Sequence, residues 1–203
     1  MKSTEILSSD TFRSDPLTAA RKLIGAELLC GNCSGIVVET EAYAAVGDEA
    51  AHTFSRPSAR QFVAENDAGS AYVYLNYGMY WLANVLVKSS SGDGFVLLRA
   101  LEPKSGIATM RRRRSRRHLH DLCSGPGKLT IAMGINGKDH GKSFVGRNAR
   151  FCFRQSASPV EVITDTRIGI TKSADLPWRS LKKGSRFVSV QKKAGDPQTT
   201  RPE

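Results

Sequence analysis

A single domain of mixed α+β class, with helices flanking a mostly antiparallel sheet and a protruding β-hairpin, is predicted by three observations on this 203-residue chain. Short apolar stretches rich in valine and aromatics recur between glycine turns, as strands do. Other segments carry helix start and stop signals instead. A 40% hydrophobic content over this length suffices for one good core and not two, and no internal repeat or linker divides the chain.

The elements follow in order. Asp15 as N-cap, Pro16 at the first helical position, an apolar face of Leu17, Ala20, Leu23 and Ile24, and the Gly25 stop predict a short amphipathic helix. Strands are predicted at 27–30, 36–43, 71–77, 80–87 and 95–101. A helix starts at Pro103, runs to about position 120 and becomes intensely basic. A shorter one covers 126–133 and ends at Gly134. Further strands are expected at 151–154, 167–171 and 186–190. The domain is expected to end at 191, and 192–203, rich in Gly, Pro and charge without periodicity, to be a disordered tail.

Thirty Lys and Arg against nineteen Asp and Glu give a formal charge of +11, a field that favours polyanions. Nucleic acid and an acidic membrane surface both fit. The membrane is disfavoured because no apolar run approaches the roughly 20 residues that span a bilayer, and the first ten residues lack a signal core, so the cytosol or nucleoid is expected. Cys30 and Cys33 are spaced CxxC, but Cys123, Cys152 and the four histidines supply no matching ligand spacing. The pair reads as the shoulders of a Gly31-Asn32 hairpin, and no metal is expected. The arginine run at 111–117 is open to two readings: a solvated helix end suited to the macrodipole, or contact with phosphates.

The chemistry concentrates in two places. Strand alternation puts Val37, Glu39, Glu41 and Tyr43 on one face and Ile36, Val38 and Ala42 on the other. In a purely structural sheet the carboxylate face would be the solvent side. His52 follows within a polar segment not expected in the core. The second place is Tyr77-Gly78-Met79-Tyr80 between two strand-like runs, which predicts a tight type II′ hairpin with Tyr77, Met79 or Tyr80 projecting. A projecting apolar wedge on a basic protein suits a binder that unstacks DNA bases; packing on a neighbouring loop is the alternative.

Val38-Glu39-Thr40-Glu41-Ala42-Tyr43, Asp48-Glu49-Ala50-Ala51-His52, Tyr72-Val73-Tyr74 with Tyr77-Gly78-Met79-Tyr80, the 96–103 segment, Leu122 to Leu129, Arg167-Ile168-Gly169-Ile170 and Val188-Ser189-Val190 occur in one order over nearly the whole chain. In that order and approximate spacing the sequence resembles the alkyladenine (3-methyladenine) DNA glycosylase family. The resemblance implies a curved antiparallel sheet and a monomer that flips damaged purines from double-stranded DNA and hydrolyses their bond to deoxyribose, without cofactor.

By position, it makes Glu41 the general base, with Arg99 and the backbone carbonyl of Ile168 holding the attacking water. Tyr43, His52 and Tyr74 become the base-pocket walls, and Asn84 the residue that crowds the 2-amino group of guanine. Tyr77 becomes the wedge, and Met79 and Leu97 line the adjacent groove. Two features depart from the family pattern or serve a secondary role. The 56–69 segment lacks the usual apolar pair and Pro-Gly turn; Arg60 replaces a phosphate-contacting arginine, while Glu65 and Asp67 add negative charge near the DNA face. Lys128, at a helix start that is not a Walker A loop, is a second phosphate candidate. No lysine stands where a Schiff base would form, so simple hydrolysis to an abasic site is expected. Two rivals are a catalytically silent nucleic-acid binder with Glu41 on the surface, and a sugar hydrolase using Glu39 and Glu41.

Overall fold

The computed structural model describes residues 5–146, 149–156 and 158–191, so the expected tail at 192–203 lies outside the described residues. Helix α1 (Pro16–Leu23) starts as its sequence predicts, with the Asp15 carboxylate accepting from the backbone N–H of Leu17 and Thr18. Strands β1 (Glu27–Cys30) and β2 (Cys33–Ala44) form the expected hairpin, with Cys30 opposite Cys33. Strands β3 (Ala71–Asn76), β4 (Tyr80–Val87) and β5 (Gly94–Ser105) follow. The sheet runs β3-β4-β5-β2-β1-β6, with β6 at Phe151–Arg154, and every pairing is antiparallel. Strand β8 (Arg179–Lys182) joins the outer half of β2 and carries β7 (Val162–Asp165), which curls the sheet into a half-barrel.

The largest core lies on one sheet face, where Ala19, Ala20 and Leu23 of α1, Met110 of α4 (Ile107–Arg114), and Leu129, Ala132 and Met133 of α6 (Pro126–Met133) meet Val37, Ala42 and Leu98. On the opposite side, α3 (Pro57–Glu65) packs Ala59, Phe62 and Val63 onto Tyr72, Leu86 and Phe95. Helix α2 (His52–Ser55) and α3 were not expected. Pro57 at the first helical position and apolar residues at 59, 62 and 63 were the available signal.

Several expectations are corrected. Pro103 does not start a helix, because β5 continues its ladder with β2 through Gly35↔Pro103 and Ser34↔Ser105. The turn comes at Gly106, with φ +70 and its missing Cβ facing the Asn32 carbonyl at 2.5 Å. The basic helix stops at Arg114, where Ser115 turns left-handed, and a separate α5 spans His120–Cys123. Residues 167–171 and 186–190 are loops rather than strands. The hairpin between β3 and β4 has positive φ at both Tyr77 and Gly78, with Met79 N–H donating to the Asn76 carbonyl. That sign pattern belongs to type I′, not type II′. Among the described residues no helix is long and apolar enough to cross a membrane.

Candidate active site

Two bulges build the site. Between the pairs Val37↔Leu101 and Glu39↔Ala100, Val38 is an extra residue on β2; between Glu39↔Ala100 and Thr40↔Leu98, Arg99 is an extra residue on β5. Bulges bend a strand and re-aim a side chain. The first bulge changes the parity expected for β2, so Val37 joins the main core while Val38 packs with Leu181 and Phe187 in another. The carboxylate face itself survives: Glu39, Glu41 and Arg99 come together on the side away from α1, while Thr40 donates its hydroxyl to the Ala20 carbonyl.

Glu41 is 0% exposed. Its Oε1 accepts from the Ile168 N–H at 2.7 Å, and its Oε2 from the Tyr43 hydroxyl at 2.8 Å and Arg99 Nη1 at 3.2 Å. A carboxylate offers about four acceptor positions, so these three bonds leave one direction on Oε1. The surface-carboxylate reading is thereby overturned. Burial disfavours a charged guanidinium, but Glu41 and Glu39 outweigh it and hold Arg99 above its ordinary pKa. Burial and the adjacent Glu41 charge push Tyr43 far above the phenol range, so it stays a donor.

Tyr43, Arg99 and Ile168 also line a cavity of about 300 Å³, so Glu41 lies directly behind its wall. The other expected pocket residues, His52, Tyr74 and Asn84, line it too. The His52 and Tyr74 rings are 4.2 Å apart between centroids, and His52 Nδ1 lies 3.1 Å from the Tyr72 hydroxyl. Burial, helped by the Arg56 charge, lowers His52 to about 4, so its ring is neutral at neutral pH. Burial likewise raises Tyr74 to about 12. Asn84 is fixed by donating Nδ2 to the Tyr72 carbonyl at 3.0 Å. Sequence reasoning missed Tyr72 and Phe95 as wall residues, although their strand positions next to Tyr74 and Leu97 were available. The 48–53 segment around His52, expected outside the core, is partly inside it, since Asp48, Ala51 and Thr53 are buried.

The remaining candidates divide. Tyr77 is 81% exposed at the hairpin tip and reaches the cavity mouth, with Met79 projecting beside it at 66%. Leu97, expected to line a groove, is instead 4% exposed in the cavity wall, held between Glu41 and Asn84 in register. Ile168 meets Glu41 through its amide, a contact the sequence reading did not contain. Arg60 donates Nη1 to the carbonyls of Thr53 and Phe54 and so caps α2, and Lys128 reaches Ser124 Oγ at 3.4 Å. Neither lines the cavity. In the arginine run, Arg113 donates to the Ala132 carbonyl, while Arg111, Arg112, Arg116 and Arg117 are exposed.

Two buried ion-pair systems frame this wall. Arg167 donates to both Asp48 oxygens at 2.6 and 2.9 Å and to the carbonyls of Ala42 and Ser173. Its guanidinium lies over the rings of Tyr43 and Trp178. Glu39, also fully buried, accepts from Arg99, Arg179 and Ser189.

The model of the methylpurine-DNA glycosylase family matches residues 10–186. A Rhodopseudomonas palustris protein named "Putative 3-methyladenine DNA glycosylase" is 45% identical over 170 residues, covering 84% of this chain and 81% of its own length. Proteins of the same name are 44% identical over 179 residues in Agrobacterium fabrum, covering 88% and 89%, and 40% over 203 residues in Nitrobacter winogradskyi, covering 93% and 96%. The chain therefore belongs to the methylpurine-DNA glycosylase family and is a DNA glycosylase of base-excision repair.

Proposed function

We propose that the enzyme flips alkylated or deaminated purines of the 3-methyladenine, 7-methylguanine, hypoxanthine and ethenoadenine class out of duplex DNA and hydrolyses the N-glycosidic bond, leaving an abasic site. The observation that carries this reading is an aromatic cavity whose lining groups Tyr43, Arg99 and Ile168 all bond the buried carboxylate of Glu41. The flipped base stacks among Tyr43, His52 and Tyr74. A neutral His52 lets that wall accept a cationic methylated purine without repulsion, and the aromatic faces attract it. Asn84, held by the Tyr72 carbonyl, crowds the 2-amino group of guanine and so disfavours the unmodified base, while 7-methylguanine is still excised because its positive charge weakens the bond to the sugar.

As the bond from C1′ to the base breaks, positive charge grows on the sugar, and the Glu41 carboxylate stabilises it. Water held at the remaining acceptor direction of Oε1 attacks C1′. Its proton passes to Glu41, and the base departs with the bonding electron pair. A methylated, cationic purine leaves as a neutral molecule and needs no further proton, whereas hypoxanthine and ethenoadenine, neutral in DNA, take one proton from solvent water as they leave. Among the described residues, those lining the cavity include no lysine, which supports water rather than an amine as nucleophile. Tyr77 fills the space the flipped nucleotide vacates, with Met79 in the groove beside it, and Arg60 and Lys128 use donors left after their internal bonds on phosphates. The protein acts as a cytoplasmic monomer.

The test is excision from duplexes that each carry one such lesion, read as strand cleavage after alkali. Alkali-labile sites at one or more lesions are expected; their absence across all four lesion types overturns the reading.

A further inference from the structure

We propose that Glu39 is a positioning residue for the excision reaction, clamping Arg99 so that its guanidinium stays aimed at Glu41 and the cavity. The inference rests on the function proposed above. Glu39 is as buried as Glu41 and, like it, lies behind the cavity lining, but it bonds one lining residue, Arg99, where Glu41 bonds three, and it reaches the site through that arginine. Both its oxygens are engaged: Oε1 accepts from Arg99 Nε at 3.1 Å, Arg179 Nη1 at 3.1 Å and Ser189 Oγ at 2.8 Å, and Oε2 from the Ser189 N–H at 2.5 Å. Arg179 is itself anchored at its other end, to Asp165 at 2.6 Å and to the Thr166 carbonyl at 2.8 Å.

The geometry explains why two carboxylates are needed. Arg99 sits at a bulge, which frees its backbone from regular pairing. Nε on Glu39 and Nη1 on Glu41 give the planar fork its two charged anchors, and Nη2 adds a longer bond to Ser189 Oγ at 3.4 Å, whose hydroxyl Glu39 itself holds. The charges also divide well: Arg179 and Ser189 share the attraction of Glu39, so Arg99 is steered by Glu39 without being pulled off Glu41. The 186–190 segment enters the site for this reason. It gives the Ser189 N–H to Glu39 instead of to a strand ladder.

Glu39→Gln keeps the shape and removes the charge. The expected result is a single-turnover excision rate lower by about tenfold, about 1.4 kcal/mol on the barrier, with affinity for lesion duplex unchanged. The decisive readout is the cycle with Arg99→Lys, whose compact ammonium has no planar fork to be held in a fixed orientation between the two carboxylates. If Glu39 acts through Arg99, Glu39→Gln slows the Arg99→Lys enzyme no further. An equal further loss in that background overturns the proposal, as does wild-type excision by Glu39→Gln alone. Should Glu39→Gln fail to fold, Arg179→Lys breaks the fork that ties Glu39 to Asp165 and Thr166 without a bond to Arg99, and the same cycle applies: a slowed rate that vanishes against Arg99→Lys supports the clamp, and an unchanged rate refutes it. Wild-type protein inactive on every purine lesion would remove the underlying functional reading; active wild type with unchanged variants removes this inference alone.

Discussion

Replacing Asp48 with alanine tests whether the buried pair behind Tyr43 holds the site together. Both side chains of the Asp48–Arg167 pair are wholly buried, and the two bonds between them are 2.6 and 2.9 Å. Removing the carboxylate strands a cation that keeps only the carbonyls of Ala42 and Ser173 and two aromatic faces. Its Nε already has no partner among the described residues. Breaking a buried pair in this way costs about 3–5 kcal/mol, against about 5–15 kcal/mol for the stability of a whole domain. At about 2–4 °C per kcal/mol for a chain of this size, Tm should fall by roughly 6–20 °C. Urea and thermal unfolding read it, with Trp178 beside Arg167 as a fluorescent reporter. The double variant Asp48→Leu, Arg167→Met should recover most of the loss, since apolar replacement of a buried pair is often neutral. An alanine variant destabilised by less than about 1 kcal/mol would refute the argument that this pair is an uncompensated charge once broken.

Other consequences can be measured alongside. Glu41→Gln should retain binding to lesion duplex while excision falls by about 10²–10⁴, the usual contribution of a positioned base; wild-type excision would remove Glu41 from that role. Tyr77→Ala should weaken lesion-duplex binding by about 1–3 kcal/mol, the worth of a base–aromatic stack, and reduce the ratio of lesion to plain duplex affinity; an unchanged ratio contradicts the wedge. His52 gives a pH dependence. Unfolded, it takes up a proton below about pH 6.5, whereas in the fold it resists until about 4. The unfolded state therefore binds more protons in that window, and stability should fall as pH drops from 6.5 towards 4. His52→Gln should flatten this slope in urea titrations at successive pH values, and an undiminished slope would show that another group carries it.

What the sequence disclosed is what short-range rules govern. The α1 cap, the Cys30–Cys33 turn, strands β3 and β4 and helix α6 depend on neighbours a few residues apart, and each stands where periodicity and turn chemistry place it. The cavity residues Tyr43, His52, Tyr74 and Asn84 were legible through the family resemblance, and their convergence bears on geometry that no local pattern contains. The misses have long-range causes. Arg179 on β8 is buried because Glu39 and Asp165 neutralise it, so its strand shows no apolar alternation to find. Residues 167–171 look like a strand by composition, but Gly169 turns at φ +76 and the Ile168 amide serves Glu41. At Ile168 and Ser189 a backbone N–H is spent on a buried carboxylate instead of a ladder, while at Arg179 the backbone keeps its ladder and the side chain meets the carboxylates.

That pattern bears on how a fully buried acid can remain useful to a reaction that generates positive charge. One ion-pair network joins Glu39, Glu41 and Asp165 to Arg99 and Arg179, and the separate Asp48–Arg167 pair meets it where the Arg167 guanidinium lies over the Tyr43 ring. Pairing makes burial of Glu41 tolerable, and on the function proposed above the acceptor direction left open on its Oε1 is what such a reaction can use.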